Sequence, residues 1–551
     1  MSDESMHWAD QIAREIKDRV SKEDVLKEIV KEKGYLIYDE KTPSGSIHIG
    51  SGRGWIIHDA IAKAMRDLGL KAKFVLSSDD IDPYDKPNKE LPSTFDKYLG
   101  MPFRDIPSPE KGYKSFADYY FTLVTDKFEE FGIECELEST GERYEKGDFN
   151  AAIKKILDNT SKVNDIFERF YGNRPQKLPF NPICEKCGKI GTTIATEWDA
   201  ETEKVKYKCS PDAVKWAKGC GHEGEISPYD GKGKLPWKVE WAAKWPTVGV
   251  VCELAGKDHF THGGSRSISI AVSDEVLDFP PPYPSTRKAI GKGYEFFTVG
   301  GKKMSTSKGT GMSFVESTMY APAKIFRYLL IATRPHAVLD FNPTGRNDLI
   351  LLYDRFDKTE RIYFKKDDAE KTDYEQHKRI YELSHIGEIP SKIPIQIPFS
   401  FCSVLVQVTQ NQEKAIEVLS KLGHLPSKVS DSELEYVQGR LDFASTWVKE
   451  FAPDEFKFDV QSEISDGVRT ELSSGQISGL KALVKVLETK EYTDNELYEE
   501  FYGICKEAEI NPKEFFQGAY RVLLNRDRGP KLAGFILTIG KEKVVELLKQ
   551  L

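Results

Sequence analysis

The stretch TPSGSIHIGSGRGW, residues 42–55, constrains the fold more than any other part of this sequence. It holds four glycines, follows the short β-prone run GYLIY at 34–38, and precedes a segment whose apolar residues recur every three or four positions. The pattern predicts a strand, a glycine-rich turn and a helix that begins between Ser51 and Trp55. Backbone amides at a helix N-terminus favour an anion, and glycine removes the Cβ atoms that would keep a phosphate away. An ordinary turn before a helix is the alternative interpretation.

The surrounding sequence predicts the sheet to which this turn belongs. Short β-prone runs (YLIYDE, AKFVLSSDD and IECELES) alternate with helical patterns between residues 34 and 150. Such alternation predicts a parallel α/β sheet with crossover helices. Ligands bind such sheets at the carboxyl ends of the strands, where the glycine-rich turn and SSDDIDPYD (77–85) both fall. From about residue 370 onward the patterns are mostly helical.

Length and composition limit the classes of protein to consider. A chain of 551 residues with 39% hydrophobic residues is expected to form several folded domains. The net charge of −9 gives no overall basic signature for nucleic acid, although local patches remain possible. The polar N-terminus does not resemble a signal peptide, and no apolar run reaches the roughly 18 residues of a membrane helix. We therefore expect a cytoplasmic protein with no membrane partner.

A cluster of cysteines interrupts the α/β pattern between about 175 and 235. Cys184 and Cys187 form a knuckle in CEKCGK, a predicted hairpin then leads to Cys209, and Cys220 closes the segment next to His222. Paired ligands on tight turns are typical of a structural zinc site. We predict four cysteine ligands, with His222 as the alternative to Cys220. The remaining four cysteines are scattered singly and are expected to be core thiols.

A second glycine-rich loop, GGKKMSTSKGTGMSF at 300–314, carries Lys302, Lys303 and Lys308 among hydroxyl groups. Alone it is more typical of a solvated basic loop than of a site. Together, the two loops supply backbone amides, His48 and ammonium groups. These groups suit the binding of a triphosphate and the stabilisation of charge during phosphoryl chemistry.

The two loops resemble the HIGH and KMSKS signatures of class I aminoacyl-tRNA synthetases. They read His48-Ile49-Gly50-Ser51 and Lys303-Met304-Ser305-Thr306-Ser307 here. Ser51 replaces the second histidine, and Thr306 stands where the second lysine usually is. Lys308 follows two positions later as a substitute.

Further segments narrow the resemblance. SSDDIDPYDK, LPWKVEWAAKW (235–245), GKDHFTHGGSR (256–266) and RDRGPKLAGFILTIGKEKVVELL (526–548) are, in this order, similar to class I lysyl-tRNA synthetases. The resemblance implies a Rossmann-type α/β catalytic domain with a cysteine-bearing insertion, followed by an all-α C-terminal domain. It also implies activation of L-lysine by ATP with Mg²⁺ to lysyl-adenylate, and transfer of the lysyl group to the 3′-terminal adenosine of tRNA(Lys).

The resemblance also implies roles for individual residues. The catalytic groups would be His48, Gly50, Lys303 and Lys308. ATP would be bound by Ser44, Gly45, His48, Gly50, Ser51, Lys303, Met304, Ser305 and Ser307. The substrate lysine would be bound by Glu40, Asp79, Asp80, Trp237, Asp258 and His259. The acids near strand ends are equally interpretable as solvated carboxylates, and Trp237 as a core aromatic.

We predict the following domains: 1–174 and 236–310 as the two halves of the catalytic domain, 175–235 as a zinc-binding insertion, 311–369 as a stem-contact connector, and 370–551 as an anticodon-binding domain. The partners would be tRNA(Lys), L-lysine and ATP, with no DNA. Three alternatives stay open: a glutamyl- or glutaminyl-type class I synthetase, another nucleotidylyltransferase, and a tRNA-binding paralogue without catalysis.

Overall fold

A computed structural model of the protein describes residues 6–285, 293–303 and 312–551, without the side chains of Lys302 and Lys303. The chain forms two compact units. Unit 1 comprises Met1–Phe341 and Lys365–Ile389, and unit 2 comprises Asn342–Phe364 and Pro390–Leu551.

Unit 1 is built on the predicted parallel sheet. After helices α1 (Trp8–Lys22) and α2 (Asp24–Lys33), the strands β1 (Tyr35–Lys41), β2 (Ala72–Ser78) and β3 (Cys135–Ser139) pair in that order, all parallel. Parallel bridges from Ile37 to Cys252 and from Cys252 to Tyr283 extend the sheet on the other side of β1. Leu36, Ile37 and Tyr38 are fully buried, as expected for a strand covered on both faces.

The crossover from β1 to β2 is α3 (Ile49–Asp67). It begins at Ile49, two residues before the predicted range, with His48 as the residue that precedes its first turn. Most of α3 is buried, because it packs against the sheet and the helices around it. Since later parts of the chain join the sheet on the opposite side of β1, the end of β1 lies where the strand order reverses. Ligands of open α/β sheets bind at such a point.

The remaining elements of unit 1 are, in chain order, α4 (Phe116–Thr125), α5 (Thr140–Glu145), α6 (Asn150–Asp158), α7 (Thr160–Tyr171), β4 (Asn181–Pro182), β5 (Thr193–Asp199), β6 (Lys204–Cys209), β7 (Glu223–Ile226), β8 (Gly233–Lys234), α8 (Trp237–Lys244), α9 (Ser265–Glu275), β9 (Phe297–Val299), β10 (Lys302–Lys303), α10 (Ala323–Ala332) and β11 (Leu339–Asp340). Helix α11 (Asp348–Tyr363) belongs to unit 2, and α12 (Lys371–Ser384) returns to unit 1.

The cysteine-bearing segment contains the predicted hairpin. Strands β5 and β6 pair antiparallel, with an irregular register between Ala195 and Glu197, and β7 pairs with β6 on its other side. The apolar cluster around the thiol groups is small, with Tyr207 and Ile226 packed against Cys184 and Cys209. So small an apolar core is typical of a module that needs a further link such as a metal.

Unit 2 is helical among its described residues, apart from short turns, and this agrees with the predicted helical C-terminal region. Besides α11, its helices are α13 (Phe399–Thr409), α14 (Gln412–Lys421), α15 (Asp431–Thr446), α16 (Asp466–Glu471), α17 (Ser474–Thr489), α18 (Asp494–Glu507), α19 (Pro512–Leu524), α20 (Leu532–Ile539) and α21 (Lys541–Leu548). Helices α15, α17 and α18 each begin with a capping box. None of the described helices is both long and apolar enough to cross a membrane.

The two units alternate along the chain, because α11 belongs to unit 2 and the next helix, α12, belongs to unit 1. The predicted connector at 311–369 and C-terminal domain at 370–551 each contain parts of both units. The functional division into connector and anticodon-binding domain stays a prediction.

Candidate active site

The glycine-rich turn after β1 contacts the last residues of the second loop. The amide of Ile49 donates to the carbonyl of Met312 at 3.0 Å, and the amide of Phe314 donates to the carbonyl of Ile47 at 2.8 Å. His48 and Ser313 thereby form an antiparallel bridge. Two segments more than 250 residues apart in sequence are therefore joined by backbone hydrogen bonds at the N-terminus of α3.

The glycines of this turn permit close approaches. A Cβ atom on Gly50 would lie 2.7 Å from Nδ1 of His48, so the imidazole ring of His48 stands directly beside the first turn of α3. Gly45 has a φ of 153°, a backbone conformation that residues with a side chain rarely adopt. A Cβ atom there would lie 3.0 Å from the side-chain amide nitrogen of Asn88. The exposed Ser44 and the half-buried Ser51 flank these positions.

The second loop is only partly described. The backbone of Lys303 lies in β10, which pairs antiparallel with β9, while β11 pairs with β9 on its other side. The side chain of Lys303 and all of Met304, Ser305, Thr306, Ser307 and Lys308 lie outside the described residues.

An ionic cluster lies at the carboxyl ends of β1 and β2. It consists of four carboxylates and two ammonium groups, from Glu40, Asp79, Asp82, Glu240, Lys234 and Lys244. Asp79, Glu240 and both lysines are at most 4% exposed. If all six groups are ionised, the ionic cluster carries two more negative than positive charges.

Lysine side chains bridge the carboxylates of the ionic cluster. Lys244 donates to Glu40 and, at 2.8 Å, to Glu240. Lys234 donates to both oxygens of Asp79, at 3.0 and 3.1 Å, and lies 3.2 Å from Glu240. The carboxylates predicted to bind substrate, Glu40 and Asp79, are therefore already paired with lysines of the protein itself.

Hydroxyl groups complete the ionic cluster. Thr140 Oγ1 donates to Glu40 at 2.6 Å, and the buried Tyr144 hydroxyl donates to Glu240 at 2.8 Å. Burial raises the pKa of Glu40 well above its usual range, an effect that Lys244 opposes. Burial and the neighbouring Asp82 likewise raise the pKa of Asp79. Burial therefore disfavours the ionised form of both carboxylates, and the neighbouring lysines oppose this effect.

Asp80, the third predicted acid, has a different environment. Its carboxylate accepts hydrogen bonds from Ser139 Oγ at 2.6 Å and from the Gly141 amide at 2.8 Å, at the start of α5. Burial raises the pKa of Asp80, and these two hydrogen bonds oppose that rise. Asp80 thus joins the end of β2 to the N-terminus of α5.

The predicted residues of the later segments form an aromatic cluster. The Trp237 ring is stacked on Trp241 with centroids 6.0 Å apart, and the His259 ring stands edge-on to both, at 5.9 and 5.5 Å. Trp237 is 44% exposed, so it is not the core residue of the alternative interpretation. Asp258, also exposed, precedes His259 in a short turn spanning Lys257–Phe260.

Several further groups at this end of the sheet are not predicted from the sequence. Lys234, Glu240, Lys244 and Asp82 complete the ionic cluster, and only the four-residue spacing of Glu240 and Lys244 on α8 signals a pair in the sequence. On the opposite face of β1, Asp39 lies 3.5 Å from Nδ1 of the fully buried His58.

Asp39 and His58 both titrate unusually. Burial raises the pKa of Asp39 to about 7 and lowers the pKa of His58 to about 4. His58 is held by Gly54 and Leu254: its Nδ1 lies 2.7 Å from the Gly54 carbonyl, and its Nε2 accepts from the Leu254 amide at 2.9 Å. This arrangement fits a neutral imidazole with its proton on Nδ1.

The four predicted metal ligands lie together. The Sγ atoms of Cys184, Cys187, Cys209 and Cys220 are all within 4.8 Å of one another, and the pairs 184–220 and 187–209 are each 3.7 Å apart. His222 contributes its backbone carbonyl, which accepts from the Cys209 amide, and its ring lies beside Tyr207. The geometry therefore groups Cys220, and not His222, with the other three cysteines.

A parallel sheet whose glycine-rich turn meets a second loop at the point of strand reversal is the architecture of class I aminoacyl-tRNA synthetases. The family model described as tRNA synthetases class I (K) matches residues 6–387. The chain therefore belongs to the class I tRNA synthetases of the lysine (K) family.

Individual relatives span the whole chain. A lysine–tRNA ligase of Methanocaldococcus jannaschii is 33% identical over 98% of this chain and 99% of its own length. A lysine–tRNA ligase of Methanosphaera stadtmanae is 31% identical with the same coverage. Among solved structures, a glutamate–tRNA ligase from Elizabethkingia meningosepticum aligns over 94% of this chain and 98% of its own, with 11% identity and a TM-score of 0.41.

Proposed function

We propose that this protein is a lysine–tRNA ligase. It activates L-lysine with ATP to lysyl-adenylate and transfers the lysyl group to the 3′-terminal adenosine of tRNA(Lys), giving AMP and diphosphate. The proposal rests on the backbone pairing of His48 with Ser313, which joins the glycine-rich turn to the end of the second loop at the N-terminus of α3. The names of the full-length relatives support the choice of lysine.

The loops act on the phosphates of ATP. His48 and the amides at the start of α3 face the triphosphate, and Gly45 and Gly50 leave room for the nucleotide. Ser44 and Ser51 supply hydroxyl groups. Lys303 and Lys308 neutralise the charge that develops as the lysine carboxylate attacks the α-phosphate, and Met304, Ser305 and Ser307 complete the loop. No covalent nucleophile on the protein is needed, because catalysis rests on position and charge, with Mg²⁺ entering as part of the ATP substrate.

The ionic cluster attracts the ammonium groups of the substrate lysine. With all six groups ionised, it holds two more carboxylates than ammonium groups, and a further cation would favour the ionised forms that burial opposes at Glu40 and Asp79. Trp237 and His259 form the adjacent aromatic wall, which suits the methylene chain of lysine. Asp80 and Asp258 supply further carboxylates at the border of this proposed lysine site.

Zinc joins the four thiol groups of the insertion. Sulfur atoms around a tetrahedral zinc with bonds of about 2.3 Å are separated by about 3.8 Å, which matches the two distances of 3.7 Å. With four cysteine ligands the metal has no open position, so its role is to hold the hairpin and both turns together. Thr192 Oγ1, 3.3 Å from Cys209 Sγ, supports one ligand.

Unit 2 contributes to the binding of the tRNA. It contains a cavity of about 530 Å³ lined by side-chain amides of Gln407, Gln410, Asn411 and Gln412 and by the cations Lys449, Lys457 and Arg526. Side-chain amides form hydrogen bonds with the edges of an unpaired base, and cations bind its phosphate. Arg526 lies in the region 370–551, which is predicted from the sequence to bind the anticodon.

Charging of tRNA tests the proposal. The purified protein, incubated with ATP and a tRNA(Lys) transcript, should attach lysine and not glutamate to the 3′ end. Charging with glutamate alone would support the glutamyl-type alternative. Stable tRNA binding without charging by any amino acid would support the non-catalytic paralogue.

A further inference from the structure

Arg53, in the first turns of α3, joins the glycine-rich turn to the small sheet that carries Lys303. Its side chain is 1% exposed and donates five hydrogen bonds, all to backbone carbonyls. Nη1 donates to Glu295 and Phe296, at 2.8 and 3.1 Å, and Nη2 donates to Arg334, Pro335 and Ala337, at 3.2, 3.1 and 2.9 Å.

These acceptors lie on the two segments that lead into the small sheet. Residues 295–296 directly precede β9, and residues 334–337 directly precede β11. Since β10 pairs with β9 from Val299 to Thr298, the position of the Lys303 backbone depends on where Arg53 holds these segments. The planar guanidinium can reach both at once, because its donors point in fixed and divergent directions.

Gly52, the neighbour of Arg53, contacts the other end of the second loop, at Phe314. A Cβ atom on Gly52 would lie 2.3 Å from the ring of Phe314, which is fully buried and stacks on Phe131 with centroids 4.4 Å apart. The ring is held by packing and cannot move aside freely. Phe314 also forms the backbone pair with Ile47.

We propose that Arg53 and Gly52 are positioning residues, which together set the distance between the phosphate-binding turn at His48 and the Lys303 strand. The inference rests on the proposed role of the two loops in binding ATP. It goes further by assigning the alignment of these loops to two residues that do not themselves contact the substrate. Misplacing a charged group by about 1 Å can cost a hundredfold in rate even when binding persists.

The test uses Arg53→Lys in the full-length protein. The variant keeps the positive charge, but a single ammonium group cannot span both segments. Lysine-dependent ATP–pyrophosphate exchange should show a fall in kcat of tenfold or more, with the KM for lysine within threefold of the wild type. A smaller fall in kcat in folded protein overturns the role of Arg53.

Arg327→Lys is the matched control. Arg327 is equally buried and also binds several backbone carbonyls, together with Asp59 in the middle of α3, but among the described residues its hydrogen bonds go to neither loop. Both variants should lower the melting temperature, whereas only Arg53→Lys should lower kcat by tenfold or more. Equal falls in kcat in Arg53→Lys and Arg327→Lys would indicate a general loss of packing and would overturn the inference.

Gly52→Ala keeps the inference testable if Arg53→Lys fails to fold. The added methyl group displaces Phe314 and should also lower kcat by tenfold or more with little change in the KM for lysine; a smaller fall overturns the role of Gly52. His48→Ala, measured in parallel, distinguishes failure of this inference from failure of the proposed function. If His48→Ala is inactive while the positioning variants are normal, the inference fails and the proposed function stands.

Discussion

The ammonium group of Lys244, at the end of α8, donates a hydrogen bond to the carboxylate of Glu40, at the end of β1. The two residues are 204 positions apart, and the contact places the tryptophan-rich helix against the strand that leads to the glycine-rich turn. Removing one member of a buried ion pair leaves the other charge unbalanced. The pair therefore couples the proposed lysine pocket to the phosphate-binding turn.

Glu40→Gln tests the lysine pocket. The substitution removes one negative charge from the ionic cluster but keeps the shape of the side chain. We expect the KM for lysine to rise about tenfold or more, by roughly 1.4 kcal/mol of lost attraction, with the KM for ATP within threefold. Steady-state ATP–pyrophosphate exchange at varied lysine concentrations measures both constants.

Glu138→Gln is the matched control, because Glu138 lies at the end of β3 and is paired with Arg143 outside the ionic cluster. Its KM for lysine should stay within threefold of the wild type. If Glu40→Gln behaves like this control, the ammonium groups of the substrate bind elsewhere.

The sequence predicts local relationships well and long-range ionic pairs poorly. Alternating β-prone and helical patterns locate β1, α3 and β2. The spacing of Cys184 and Cys187 indicates the thiol cluster, which consists of Cys184, Cys187, Cys209 and Cys220. Nothing in the sequence indicates that Lys244 pairs with Glu40, since a contact between a helix and a distant strand depends on tertiary packing alone. The early start of α3 also involves a tertiary contact, because the amide of Ile49, its first residue, donates to the carbonyl of Met312.

The thiol cluster should hold one zinc ion per chain. Protein purified without chelator is expected to contain one equivalent by elemental analysis, and the double variant Cys184→Ser, Cys187→Ser should lose it, because two of four ligands are gone. Cys135→Ser, which changes a cysteine outside the thiol cluster, should retain it. Wild-type protein without metal would refute the zinc site.

Asp39→Asn should change how stability depends on pH. Burial raises the pKa of Asp39 from 3.8 to about 7, so between these values the folded protein holds a proton that the unfolded chain has lost. The contribution of Asp39 to stability therefore falls as the pH rises from about 4 to 7 and is then constant.

Asparagine cannot ionise, so the variant avoids this loss. Its free energy of unfolding, relative to wild type, should increase by on the order of 2 to 4 kcal/mol between pH 4 and pH 8. Urea unfolding at several pH values measures the difference. A variant at the exposed Glu32, Glu32→Gln, should show no such trend, and a flat difference for Asp39→Asn would contradict the raised pKa.

The cavity of unit 2 should contribute to tRNA binding. The double variant Lys457→Ala, Arg526→Ala removes two cations from its lining. We expect the KM for tRNA in lysine charging to rise about tenfold, with a weaker dependence on salt, because phosphate contacts are lost. ATP–pyrophosphate exchange, which needs no tRNA contact in unit 2, should not change.

Lys481→Ala, Lys485→Ala provides the control, since it removes the same charge from exposed positions on α17. An equal rise in the KM for tRNA in both double variants would mean that overall charge, and not the cavity, attracts the tRNA.

The decisive measurement is lysine-dependent ATP–pyrophosphate exchange by the wild type and by His48→Ala and Lys303→Ala. We expect exchange with lysine but not glutamate, and a loss of about a hundredfold or more in each variant, because each removes a group that stabilises charge in the transition state. Lys31→Ala, at an exposed position on α2, should be unchanged. Exchange with glutamate instead of lysine, or rates within threefold of wild type in both loop variants, would refute the proposed lysine activation at these two loops.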